Sequence, residues 1–195
     1  MSLRYCRKLL PAVEVLLVLC TSFAIAASEP YPEHEVKAAF LYNFMKFTDW
    51  PGEKVKDPNA PMVIFLVGKY PKCKTFDEIQ QKEPEKESVQ VRIFDSYEAI
   101  GDPNILKTCH VLFICSSEKE NVGKLLALVR DSSVLTVGEF DGFLEMGGII
   151  NFLSDQEKIR FEISIPSAET AGFKLRSKLL RLAKRVIQEG TEEGS

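Results

Sequence analysis

The chain has 195 residues with 25 Lys+Arg against 28 Asp+Glu, enough length for one domain with a sizeable core. A slightly acidic balance argues against nucleic acid as a partner, because phosphate binding needs a clustered positive field. With a core of that size a disulfide framework is not needed for stability, and only 5 cysteines are present.

Residues 1–8 carry Arg4, Arg7 and Lys8, and an apolar run from Leu9 to about Phe23 follows. The run closes on Ala24-Ile25-Ala26, small residues that suit a signal peptidase cutting after Ala26. It is shorter than the roughly 20 residues a bilayer core requires and contains Glu14, which argues against an anchor. Residues 1–26 are therefore expected to be a cleavable signal peptide, and the rest a protein that works outside the cytoplasm. Losing Arg4, Arg7, Lys8 and Glu14 leaves 22 basic against 27 acidic side chains in the exported part.

From Glu33 to Asp49, Val36, Phe40, Phe44 and Phe47 recur at three- and four-residue steps and predict a helix, ended by Trp50-Pro51. The continuous apolar runs Pro61–Val67, Val89–Phe94, Cys109–Ile114 and Val134–Val137 predict strands covered on both faces. Polar, helix-forming stretches at about 72–83 and 118–130 lie between them. Alternating strands and helices give an α/β fold, a mostly parallel open sheet with flanking helices. After Gly147-Gly148 the pattern changes to an antiparallel hairpin, Ile149–Leu153 and Lys158–Ile165, flanking Ser154–Glu157. On its second arm Phe161, Ile163 and Ile165 share one face, so Arg160, Glu162 and Ser164 are expected on a wet one. A short turn stopping at Gly172 and a last helix over Ser177–Gln188 follow. The single domain is expected over 27–188, with a disordered polar tail over 189–195.

No Walker loop, dinucleotide turn or Gly-x-Ser-x-Gly elbow is present, and the clustered Gly138, Gly142, Gly147 and Gly148 suit loops around the hairpin. His34 and His110 lack a second histidine at ligand spacing, so no metal or other cofactor is expected, and His110 reads as a core histidine. Cys109 and Cys115 bracket one strand at an even separation, on the same face but about 20 Å apart. Cys73 and Cys115 both fall at carboxyl ends of parallel strands. Two readings stay open: a Cys73–Cys115 disulfide, or three inert thiols. Trp50 is read as structural, closing the first helix against the sheet.

The helix region bears Lys174, Arg176, Lys178, Arg181, Lys184 and Arg185, a basic cluster in an acidic protein. It reads either as a solvated face or as a docking surface for an acidic partner or anionic headgroups. Together with Arg160, Glu162 and Ser164 of the hairpin, Arg181, Lys184 and Arg185 are the candidate partner-binding residues. A crevice lined by Gly68-Lys69-Tyr70 and Ser116-Ser117-Glu118 is the alternative site, for a small molecule at the carboxyl ends of the strands.

Two segments carry a family resemblance. Val36-Lys-Ala-Ala-Phe-Leu-Tyr-Asn-Phe-Met-Lys-Phe-Thr-Asp-Trp-Pro51 resembles the opening of YfiR family periplasmic proteins. Gly147-Gly-Ile-Ile-Asn-Phe152, Ile159-Arg-Phe-Glu-Ile163, Ala171-Gly-Phe-Lys-Leu175 and Lys178-Leu-Leu-Arg-Leu-Ala183 resemble its close, and Cys109-His-Val-Leu-Phe-Ile114 a central strand. The resemblance implies a non-enzymatic repressor that holds an inner-membrane diguanylate cyclase inactive through the cyclase's periplasmic part, with an outer-membrane lipoprotein relieving the block. A homodimer is left open. Some members carry a cysteine pair around the Gly-Gly segment; this chain has Phe143 and Asn151 there, so that disulfide does not transfer.

Overall fold

Three of the apolar runs predicted as strands, around Met62–Val67, Val111–Ile114 and Leu135–Gly138, lie inside one sheet, whereas Val89–Phe94 is its edge strand, with Gln90, Arg92 and Ile93 exposed rather than covered on both faces. A computed structural model of the chain describes residues 31–52, 60–82, 89–155 and 158–188. The expected signal peptide with its cut after Ala26, residues 156–157 of the expected hairpin connection and the expected tail 189–195 lie outside the described residues.

In chain order the elements are α1 (Glu33–Lys46), β1 (Thr48–Asp49), β2 (Met62–Val67), α2 (Lys74–Lys82), β3 (Val89–Phe94), β4 (Val111–Ile114), α3 (Val122–Val129), β5 (Leu135–Gly138), β6 (Ile150–Asp155), β7 (Lys158–Ser164), α4 (Ile165–Thr170), β8 (Lys174–Leu175), α5 (Ser177–Leu180) and β9 (Arg185–Ile187). Single 3-10 turns occupy Tyr97–Ile100, Pro103–Thr108 and Ser116–Asn121. The main sheet has 7 strands in the order β3-β2-β4-β5-β6-β7-β9. Pairing is parallel from β3 across to β6, antiparallel between β6 and β7, and parallel between β7 and β9. The α/β class, the mostly parallel sheet and the antiparallel hairpin are as expected, but β6 runs on through Ser154 and Asp155, which pair with Ile159 and Lys158, and Ile165 begins α4 instead of ending β7.

Period-two alternation sends the central strands' side chains into two cores. On one face Ile64, Leu66, Val111, Phe113, Phe152 and Phe161 meet α1. On the other Phe65, Val67, Leu112 and Ile114 meet α3 and the 3-10 turns. Helix α1 buries Ala38, Leu41, Phe44 and Met45, and Phe44 packs edge-on against Phe161 at 4.9 Å and stacked on Phe152 at 5.5 Å. Aromatic pairs at such separations contribute about 0.5–1.5 kcal/mol beyond the area they bury.

Three expectations are corrected. First, α1 stops at Lys46 rather than Asp49, because Thr48 and Asp49 pair with Leu175 and Lys174 in a separate two-stranded sheet. The Thr48 hydroxyl donates to the Phe44 carbonyl at 2.7 Å, satisfying an orphan acceptor of the last turn. Second, the last helix over Ser177–Gln188 does not form. One turn, Ser177–Leu180, is followed by β9, which takes the outer edge of β7 through pairs such as Ile163↔Val186. Third, β7 is therefore not an edge, and its outward face is not wet: Glu162 and Ser164 are buried, while Arg160 remains exposed.

The glycine cluster has a packing role. Phe143 is fully buried, and a Cβ built on Gly148 or Gly138 would lie 2.1 Å or 2.5 Å from its ring. Both glycines sit outside the left-handed region, so the missing side chains make room for the aromatic wedge.

Candidate functional site

In an open α/β sheet, ligands settle where neighbouring crossovers leave in opposite directions. Here that point lies between β2 and β4, since β2 connects to β3 on one side and β4 continues to β5 on the other. The expected crevice walls, Gly68-Lys69-Tyr70 and Ser116-Ser117-Glu118, do meet there, but they close on each other. The Lys69 amide donates to the Ser117 hydroxyl at 2.9 Å, and a Cβ on Gly68 (φ 114°) would lie 2.5 Å from that oxygen.

The amides that would hold an anion are taken by carboxylates of the chain. Glu35, from α1, accepts from the Lys74 and Thr75 amides at 2.9 and 2.7 Å and so fills the start of α2. Glu139, after β5, accepts from the Ser116 amide at 2.8 Å. Glu118 is buried and accepts from the Tyr97 amide at 3.1 Å and from Asn121 at 3.0 Å. Lys37 anchors α1 over this end of the sheet, 2.6 Å from Glu139 and 2.5 Å from Glu33. Burial alone would lower the Lys37 pKa, but the two carboxylates hold it above its ordinary value. Burial would likewise raise Glu35, yet hydrogen bonds from Thr75, Cys73 and Lys74 bring it down to about 2. None of Lys37, Glu35 or Glu139 was singled out in the sequence. A signal existed for one: Lys37 stands four residues before Leu41 and seven before Phe44, on the apolar stripe of α1.

The three cysteines are free thiols, so the Cys73–Cys115 bridge is not formed. Cys73 and Cys115 do share one core, at the carboxyl end of the sheet as expected. Cys109 lies on the opposite face, because β4 begins only at Val111 and strand alternation does not extend back to it. Burial, helped by the Glu35 carboxylate, pushes the Cys73 thiol up to about 11. Burial and the charge of Glu139 push Cys115 up to about 12. Both are protonated at neutral pH and unsuited to attack an electrophile. Burial also raises the Tyr70 phenol, which donates to the His34 carbonyl.

The partner-binding candidates divide sharply. Glu162 is buried between Asn151, which donates to it at 3.1 Å, and Arg185, which pairs with it at 2.6 Å. Ser164 accepts from the Ser167 amide and caps α4. Lys184 pairs with Asp155 at 2.8 Å while its amide donates to the Phe161 carbonyl at 2.8 Å. Lys184 and Arg185 thus staple β9 to the hairpin. Arg160 and Arg181 remain exposed, and Arg181 has no carboxylate partner among the described residues. Asn151 also accepts from the Phe140 amide at 3.2 Å, tying the loop after β5 over Glu162.

Trp50 is half-buried, donates its indole N–H to the Met45 carbonyl at 3.1 Å, and meets His110 and Phe173 edge-on at 5.5 and 5.2 Å. His110 is partly buried rather than in the core, and its Nδ1 accepts from the Val63 amide at 3.0 Å.

A family model described as YfiR/HmsC-like matches residues 34–184, more than half of the chain. Comparison with curated proteins returns no match. Among solved structures the chain is similar to a crystal structure of a conserved domain protein from Vibrio cholerae O1 biovar El Tor str. N16961, with 10% identity and a TM-score of 0.51. The alignment covers 80% of this chain and 60% of that one, and at this identity the likeness speaks for the fold.

Proposed function

The chain belongs to the YfiR/HmsC-like family, a family of periplasmic regulators, and from that premise we propose that it holds a membrane diguanylate cyclase inactive by binding the cyclase's periplasmic part. The observation that carries this reading is the self-occupied switch point. Three of the chain's own carboxylates take the amides an anionic ligand would need, and the loops on either side bond to each other. Function is then left to the outer surface, and the protonated thiols supply no catalytic nucleophile.

Inhibition by binding works only through different affinities for the two states of the target. Moving a cyclase from almost wholly active to almost wholly inactive takes about 10⁴-fold preference, or about 5.5 kcal/mol. A lipoprotein of the outer membrane would reverse the effect by competing for the same chain. The experiment is deletion of the gene followed by measurement of cellular cyclic-di-GMP. A rise is expected, and an unchanged level with the cyclase present overturns the reading. Intact-mass analysis of the periplasmic fraction should find a chain beginning near Ala27.

A further inference from the structure

A groove of about 780 Å³ lies among α4, β8, α5 and the end of β9. Its floor is apolar, made by Phe173, Leu175 and Leu180, and Lys174, Glu169 and Gln188 stand on its rim. The floor is held from behind. Trp50 meets Phe173 edge-on, the Phe173 amide donates to the Ala168 carbonyl at 2.9 Å, and β8 is paired to β1. The volume is that of a cleft able to take a few side chains.

Of the residues that line the groove, Lys174 is a cation and Glu169 an anion, and Arg181 follows the lining Leu180 directly in the chain. Of the basic residues from 174 to 185, Arg176, Lys184 and Arg185 are neutralised by Asp49, Asp155 and Glu162. Lys174, Lys178 and Arg181 are exposed and have no carboxylate partner among the described residues; Lys178 lies instead over the Phe47 ring at 4.6 Å. Leu182, beside Arg181, is 55% exposed, one of the few large apolar side chains left to solvent among the described residues. An apolar floor with Lys174 on its rim and Arg181 next in the chain to Leu180 complements a segment that has apolar side chains to insert and a carboxylate to flank them. Glu169, at the α4 side of the rim, opposes a second carboxylate there and so sets the segment's direction.

We propose that this groove is a docking site for an acidic, apolar-anchored segment of a partner protein. The inhibitor reading enters only in naming the source of that segment, the periplasmic part of the cyclase. A recessed apolar floor distinguishes this surface from a patch for lipid headgroups, which needs cations on a face that meets the bilayer plane.

The test places a photo-crosslinking p-benzoylphenylalanine at Gln188 in the full chain, expressed in its own host, with a second chain carrying it at Gln90 on the far edge strand β3 as control. Mass spectrometry identifies what is captured. The expected result is capture from position 188, but not from 90, of a protein segment containing carboxylates next to large apolar residues. Lys174→Glu with Arg181→Glu, exposed substitutions that should leave the melting curve unchanged, should cut that yield about tenfold. Capture of lipid or of a second copy of the chain, equal capture from both positions, no capture at all, or full capture by the folded double variant overturns the proposal. A captured acidic segment from a protein other than a cyclase leaves the groove standing and removes the inhibitor reading. A rise in cyclic-di-GMP on gene deletion without groove capture does the reverse.

Discussion

Replacing Gly148 by alanine should be costly only while Phe143 is present. The new Cβ would sit 2.1 Å from one ring atom and 2.3 Å from the next. Carbon atoms prefer about 3.5–4.0 Å, so the ring would have to retreat by about 1.5 Å. It cannot do so freely, because Gly138 lies against it as well and Phe140 holds it edge-on at 5.4 Å. Overpacking of this kind costs about 3 kcal/mol, at the upper end of its usual range. Phe143→Ala removes a fully buried aromatic and should cost about 3–5 kcal/mol on its own. If the two effects added, the double variant would lose about 6–8 kcal/mol, most or all of a typical domain's stability. The wedge geometry instead places the alanine methyl in the space the ring vacates. The double variant should then be no less stable than Phe143→Ala alone, and slightly more so, since alanine restricts the unfolded chain by about 0.4–1 kcal/mol. Urea unfolding followed through the single tryptophan, Trp50, measures all four corners of the cycle. Equal costs for Gly148→Ala in both backgrounds would refute the argument.

Trp50→Ala should lose about 2–3 kcal/mol, below the figure for a fully buried tryptophan because the ring is half-exposed, while Trp50→Phe should retain most of the contact with Phe173. In the folded protein at pH 8, Cys73 and Cys115 should resist iodoacetamide, and urea should make both reactive; rapid native labelling would contradict their raised pKa values of about 11 and 12. Glu35, whose folded pKa of about 2 lies below its ordinary 4.5, contributes stability that is fully present above 4.5 and is lost as pH falls toward 2. Glu35→Gln should therefore flatten the fall in urea midpoint over that acid window, and an unaltered slope would remove the assignment. Arg185→Ala leaves the Glu162 carboxylate buried without its cation and should speed amide exchange through β9 more than elsewhere.

The parallel core was legible because its cause is local. Met62–Val67 and Val111–Ile114 are uninterrupted apolar runs, and only a strand covered on both faces uses such a run. The hairpin's wet face was misread for a reason that alternation cannot reveal. Period two says that Glu162 points away from Phe161, but not that the loop after β5 lies over that side and that Arg185 waits there. The lost helix has a similar origin. Leu179, Leu180, Leu182 and Ala183 suit a helix, and the hint of strand in Val186-Ile187 is too short to prevail without the vacant edge of β7 to pair with. At the switch point, Lys37 and Glu139 stand 102 residues apart, and no local pattern joins them. The exposed Arg160 and Arg181 could be listed from the sequence, but not separated from Lys184 and Arg185, whose charges are spent on holding β9.

The position of α1 also sets the order in which the molecule can be finished. Residues 33–46 are the first described element to be synthesised, yet Lys37 waits for Glu139, Phe44 for Phe152 and Phe161, and Thr48 for Leu175. Contacts so distant in sequence slow folding, because the intervening chain must be closed before they repay its entropy. An emerging chain therefore presents an amphipathic helix with its phenylalanines uncovered until nearly the last strand has been made. During that interval the segment is open to chaperones and proteases, and a truncation before Phe152 would leave it so permanently.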